Sequence, residues 1–215
     1  VSPLFLMHVH EPHQCLFHFS QLGIAWLKIV VQVIDASNQC SLHFNSFSVA
    51  HLTQLLNLRI EHIGEQVSVR DLLYGLMLPS GNDAALALAE HVGGSIPAFA
   101  EKMNAKAAEL GCTGTHFANP HGLFDADHYS TARDMALIAK HAMTIPGFME
   151  ICNTVYYTPD GFSSLHNTNY MLDEEEEGGV YYYPYTQGIK TGYLEEAGKC
   201  LVTSADKDGA RYLCV

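Results

Sequence analysis

Positive charge is scarce in this chain: eleven Lys and Arg stand against twenty-three Asp and Glu, a net charge of −12 over 215 residues. A general nucleic-acid binder needs a basic footprint on the phosphates, so that class is excluded and no nucleic-acid partner is expected. A long uninterrupted apolar run is also missing. The longest apolar stretch, Cys15 to Ile34, carries His18, Gln21, Lys28 and Gln32 and makes a poor bilayer span. The chain shows no basic start of a secretory signal, and no membrane anchor is expected within it. Six cysteines include no C-x-x-C pair, which leaves neither a zinc motif nor a redox motif; their even number permits disulfides without demanding them.

A more local scarcity divides the chain. Residues 1–57 hold three charged side chains (Glu11, Lys28, Asp35), six histidines and one glycine, whereas residues 58–215 hold the other 31 charges and sixteen glycines. A folded surface normally carries roughly a quarter charged residues. Residues 1–57 therefore read as an aberrant segment, covered by a partner or not shaped by selection for this fold, with "VVQVIDASNQCSLHF" as possible remnant opening strands. At 48% hydrophobic overall, the remainder has ample material for a core. His8, His10 and His13 have a metal-like spacing but no acidic partner beyond Glu11, and are read as no site.

From Ser68 onward the local signals are clear. Ser68 with Asp71 forms a capping box ahead of Leu72, Leu73, Leu76 and Met77, and Pro79 stops that helix. A second helix follows Ser80-Gly81-Asn82 and ends at Gly93-Gly94. Ser95 and Pro97 open a third that ends near Gly111, and Thr131 with Asp134 opens a fourth running to about Met143. Residues 112–129 read as a structured loop. Tyr181–Tyr185, Gly188–Leu194, Lys199–Ala205 and Arg211–Val215 read as strands, with Asp206-Lys207-Asp208-Gly209 as a hairpin turn. Helices in the middle and antiparallel strands at the end predict an α+β architecture. The acidic run Asp173–Glu177, followed by Gly178-Gly179, reads as a solvated loop rather than a metal cage, so no metal is expected.

Two motifs carry chemistry. Ser80-Gly81-Asn82 lies at a helix junction, and Lys190-Thr191-Gly192 lies in a strand about a hundred residues later. Each alone is weak. In this order they match the second and third motifs of the active-site serine penicillin-recognising enzymes. Their flanks, "GEQVSVRDLLYGLMLPSGNDAALALAEHVGG", "GCTGTHFANPHGLFDADHYSTARDMALIAKHAM" and "GIKTGYLEEAGKCLVTSA", resemble the serine-type D-alanyl-D-alanine carboxypeptidases, the low-molecular-mass penicillin-binding proteins, over about residues 58–215.

The resemblance implies a penicillin-binding-protein/β-lactamase-like transpeptidase fold: an antiparallel sheet flanked by helices plus a helical lobe, here expected to be incomplete at both ends. It also implies a bacterial extracytoplasmic enzyme, in periplasm or at the cell surface. Such an enzyme removes the terminal D-alanine of peptidoglycan stem peptides ending in D-Ala-D-Ala, is bound by β-lactam antibiotics and needs no cofactor. A substrate with a free carboxylate needs a fixed cation opposite it, the role implied for Lys190 with the Thr191 hydroxyl. The Tyr193 N–H would supply an oxyanion donor. Ser80 would relay a proton to the leaving amine, Asn82 would bind the substrate amide, and Gly81 and Gly192 would leave room for the peptide.

The family's nucleophile is the serine of an S-x-x-K motif, and the chain reads as lacking that motif. Ser48 with His51 is the nearest approach, only 32 residues before Ser80. The chain as written is therefore expected to be inactive. The alternatives are a non-catalytic peptidoglycan- or penicillin-binding module and a β-lactamase relative. For the latter, no glutamate has asparagine four residues on, the spacing that class A deacylation implies.

Overall fold

The computed structural model of the chain describes residues 66–215, together with the backbone of residues 5–7 and 47–48. The opening hairpin expected at "VVQVIDASNQCSLHF", the His8/His10/His13 spacing and His51 lie outside the described residues.

Among the described residues, five α-helices come from the middle of the sequence: α1 (Val69–Met77), α2 (Asn82–Gly93), α3 (Ile96–Glu109), α4 (Ala132–Ala142) and α5 (Phe148–Cys152). Their starts follow the caps. Ser68, Ser95 and Thr131 each accept through the side-chain oxygen from the N–H three residues on, at 3.0, 3.3 and 3.1 Å. Each satisfies one of the N–H groups a helix start leaves without a partner. Helix α1 ends at Met77, two residues before Pro79, and α2 is capped by Gly94 in the left-handed region, φ 75°. The apolar stripe of α1 (Leu72, Leu73, Leu76, Met77) is buried throughout. Helix α5 had no sequence signal of its own.

Among the described residues there are eight strands: β1 (Phe5–Met7), β2 (Phe47–Ser48), β3 (Gln66–Val67), β4 (Tyr156–Tyr157), β5 (Leu165–His166), β6 (Thr186–Leu194), β7 (Gly198–Lys207) and β8 (Ala210–Cys214). The main sheet has the order β1-β8-β7-β6. Its β6–β7 and β7–β8 pairs are antiparallel, and β1 adds parallel to β8. The β7–β8 turn takes the form expected of an Asp-Gly hairpin: Asp208 and Gly209 both have positive φ, 53° and 77°.

Tyr181–Tyr185 is a correction, since this run is not a strand. Its backbone is consumed in turns: Tyr182 N donates to Gly179 O, Tyr183 N to Met171 O and Thr186 N to Tyr183 O. Pro184 has no N–H to give a ladder, so tyrosine β-propensity is overridden.

One continuous apolar core joins helices and sheet. Leu72 and Leu76 of α1, Leu88 of α2, Phe99 and Met103 of α3, and Met135 and Ile138 of α4 are fully buried in one cluster with Ile189, Val202 and Leu213 of the sheet. Helix α5 packs on β6 and on α1. Tyr157 of β4 stacks on Tyr74 at 3.7 Å between ring centroids, and its hydroxyl donates to Asp71 at 2.7 Å. The loop 112–129 is ordered as expected. Asp134, buried at the start of α4, accepts from Gly114 N and Thr115 Oγ1 at 2.8 Å each, and Asn104 of α3 exchanges two hydrogen bonds with Phe117.

Gly81 also departs from expectation. It is buried, and a Cβ there would stand 2.9 Å from the Gly75 carbonyl oxygen and 2.9 Å from Asp83 Oδ1. Its lack of a side chain lets the start of α2 pass against the end of α1, a packing need rather than room for a peptide. Gly81→Ala is accordingly expected to destabilise the fold by about 1–3 kcal/mol, because the obstructing atom is backbone. A fall in the urea midpoint with unchanged slope is the expected signature.

Candidate active site

The α1–α2 junction and β6 converge. Ser80 has φ 65°, a left-handed conformation that a side chain with Cβ adopts at a cost of order 1–3 kcal/mol. That turn brings the Ser80 hydroxyl to Lys190, whose Nζ donates to Ser80 Oγ and, at 3.2 Å, to the Thr191 carbonyl. The two residues are 110 positions apart. Lys190 is only 2% exposed. Burial pulls its ammonium down from the usual 10.5 to about 7, with neighbouring Cys152 opposing the shift. Burial likewise pushes the Cys152 thiol well above its usual range.

In front of this pair lies a cleft of about 730 Å³. Ser80 and Pro79 form one wall, Thr191, Gly192 and Tyr193 of β6 another, and Thr168–Met171 a third. Among the described residues, strand β6 is the edge of the sheet on this side. The Thr191 hydroxyl meets that of Thr168 at 2.5 Å, and Thr168 N donates to Leu78 O at 3.2 Å. Asn169 donates to the Gly188 carbonyl at 2.8 Å, which ties the third wall to β6.

Of the six residues expected from sequence, four line the cleft: Ser80, Thr191, Gly192 and Tyr193. Lys190 stands behind Ser80 rather than on the cleft surface, so Ser80 and Thr191 are what the cleft exposes of this cluster. Asn82 opens α2 beside them; its Oδ1 is buried and has no hydrogen-bond partner among the described residues. Sequence reasoning missed the wall 168–171, whose signal is the polar run Asn167-Thr168-Asn169 between a short strand and a turn.

The S-x-x-K spacing does occur once, at Ser204-Ala205-Asp206-Lys207, which corrects the view that the chain lacks the string. It follows K-T-G instead of preceding S-G-N, and it lies on a strand. Residues three apart on a strand point to opposite faces, so a serine and lysine so placed do not meet. Ser204 Oγ donates to Gln187 O at 2.6 Å, while Lys207 Nζ sits 4.9 Å over the Tyr185 ring. Ser48, the other candidate, ends the two-residue strand β2 paired with β3.

A cleft between a helix junction and a sheet edge, with serine, lysine and threonine hydroxyl and amine groups gathered at its base, is the arrangement of a penicillin-recognising serine peptidase. Residues 32–215 match the family model described as D-alanyl-D-alanine carboxypeptidase, and the chain belongs to that family. The match begins inside the charge-poor segment.

Among curated proteins, the chain is similar to the D-alanyl-D-alanine carboxypeptidase DacF of Bacillus subtilis, 39% identical over 156 residues, covering 71% of this chain and 38% of DacF. It is also similar to DacA of Haemophilus influenzae, 38% identical over 144 residues, covering 66% of this chain and 35% of DacA. The chain thus spans well under half the length of either relative. Among solved structures, penicillin-binding protein 5 of Haemophilus influenzae superposes with a TM-score of 0.75 at 30% identity, covering 90% of this chain and 56% of that one. Penicillin-binding protein D2 of Listeria monocytogenes in its ampicillin-bound form gives 0.75 at 27% identity, covering 90% and 77%. These neighbours bear out the α+β transpeptidase-like fold. No helix among the described residues is long and apolar enough to cross a membrane.

Proposed function

We propose that this chain carries the substrate-holding and proton-relay half of a serine-type D-Ala-D-Ala carboxypeptidase, acting on peptidoglycan stem peptides outside the cytoplasm and open to β-lactams. The observation that carries the reading is the convergence of Ser80, Lys190 and Thr191 at the base of one cleft from segments 110 residues apart. The family membership and an ampicillin-bound structural neighbour support it. In this reading residues 58–215 carry the site-forming part of the catalytic domain, and the family match extends back to residue 32.

The roles follow from the positions. The peptide's terminal carboxylate meets the Thr191 hydroxyl, with Lys190 as the charge behind it. A carboxylate arriving there favours the charged amine, so binding draws a proton onto Lys190. The Tyr193 N–H stabilises the oxyanion, and Asn82, which opens α2 beside Ser80, binds the substrate amide. Ser80, bonded to Lys190, passes a proton to the departing D-alanine amine. Acylation itself needs a serine with an adjacent base, and no S-x-x-K precedes Ser80. That absence also favours a second reading, a non-catalytic module that keeps the carboxylate anchor; slow turnover of a D-Ala-D-Ala peptide by this chain would exclude it.

Calorimetry with a D-Ala-D-Ala peptide is the test. Lys190→Ala is expected to weaken binding tenfold to a hundredfold, the worth of a charge-assisted contact of roughly 1.5–3 kcal/mol. Wild-type affinity is expected to fall as pH rises above about 7, where free Lys190 becomes neutral, by up to about tenfold per pH unit. Equal affinities for wild type and variant, or a pH-independent affinity, would remove Lys190 from the site.

A further inference from the structure

Glu174, Glu175 and Glu177 of the acidic run are exposed, as its composition suggests, but two members depart from a solvated loop. Asp173 is buried, at 6% exposure, and Glu176 is half-buried. Asp173 Oδ2 accepts from the Tyr156 hydroxyl at 3.0 Å and lies 3.1 Å from His166 Nε2, while Oδ1 accepts from Glu175 N at 2.9 Å. The His166 ring is stacked on Tyr156 at 4.4 Å and 8°, and on Tyr170 at 5.9 Å and 17°. An imidazole between two phenol rings has its orientation set, and here Nε2 is turned to the carboxylates.

We propose that His166, Asp173 and Glu176 form a divalent-cation site of the zinc type. One ligand atom from each lies within 4.8 Å of the others. Ligands held about 2.0–2.2 Å from a tetrahedral zinc stand roughly 3.4 Å apart. The His166–Asp173 pair already has that spacing, and a rotation of the Glu176 side chain closes the third position.

One imidazole nitrogen and two carboxylates leave a fourth position for water. An imidazole donor selects zinc-like ions over magnesium or calcium. The Tyr156 hydroxyl and the Glu175 N–H hold Asp173 from outside the ligand set, the kind of support that orients a metal ligand. His166 comes from β5, and the carboxylates come from the segment beyond the turn Tyr170–Leu172. Tyr170, Met171 and Glu177 line the cleft, so a bound cation clips together the wall they form. This inference does not rest on the peptidase reading.

The experiment counts zinc by elemental analysis after dialysis of the metal-stripped full chain against Zn²⁺. Because other histidines and cysteines also take zinc, the readout is a difference. Wild type is expected to retain one more zinc per chain than Glu176→Gln or His166→Gln, with at least a tenfold weaker site in each variant. Glu174→Gln, an exposed neighbour, is expected to match wild type. Glu176→Gln is near-isosteric, and an unchanged circular dichroism spectrum shows that it folds. Equal zinc counts in wild type and both variants would overturn the site and leave an ordinary His166–Asp173 ion pair. Displacement of the differential zinc by excess Ca²⁺ or Mg²⁺ would also overturn it, reducing the cluster to a diffuse acidic surface.

Discussion

Stability against urea is expected to rise between about pH 7 and pH 9.5, and Lys190→Met is expected to abolish that rise. The buried ammonium titrates near 7 in the folded chain but near 10.5 once exposed. Between these values the unfolded state binds a proton that the folded state lacks, so stability increases with pH. The slope from this single group approaches about 1.4 kcal/mol per pH unit, and the whole effect is on the order of a few kcal/mol. Below pH 7 both states hold the proton and the contribution to the slope vanishes.

Methionine matches the length of the lysine stem without its charge. The upper limit of the window matters because burial and a hydrogen bond to Asp71 raise the Tyr157 hydroxyl to about 12, which works in the opposite direction above pH 10. Parallel pH profiles for wild type and Lys190→Met would mean that Lys190 is not held neutral in the fold.

Treatment with penicillin is expected to leave the chain without a stable acyl adduct by intact-mass spectrometry, whereas a full-length relative with the S-x-x-K restored should label within minutes. Serine at its ordinary pKa is a weak nucleophile and needs an adjacent base. Ser204 is buried on β7 with its hydroxyl committed to Gln187, and Lys207 is over Tyr185. Ser48 sits on a strand only 32 residues before Ser80. Ser80 does face the cleft beside an amine, but in the proposed mechanism that amine is occupied with the substrate carboxylate. An adduct mapped to Ser80 would make Lys190 its base and reassign both residues. One mapped to Ser48 would show that residues 1–57 supply the nucleophile.

What could be read without coordinates is local. Ser68, Ser95 and Thr131 mark helix starts because each cap is satisfied within three residues, and Pro79 and Gly94 end helices through their own backbone limits. Asp208-Gly209 makes a hairpin for the same reason. S-G-N and K-T-G were legible as strings, and with their flanks they indicated the family.

The states of these residues came from tertiary contact. Lys190 is buried and pulled toward neutrality because Ser80 of the α1–α2 junction and Cys152 of α5, both distant in sequence, meet it on β6. Tyr181–Tyr185 has strand composition but spends its N–H groups in turns, one of them on Met171. Asp173 leaves a run that composition places in solvent because Tyr156 and His166, from two other strands, supply it with hydrogen bonds. Propensity, caps and turn chemistry act over one or two turns of chain, so the sequence alone determined the elements and their ends. Burial and the pKa values that follow from it depend on which distant segments meet, and only the tertiary structure decided that.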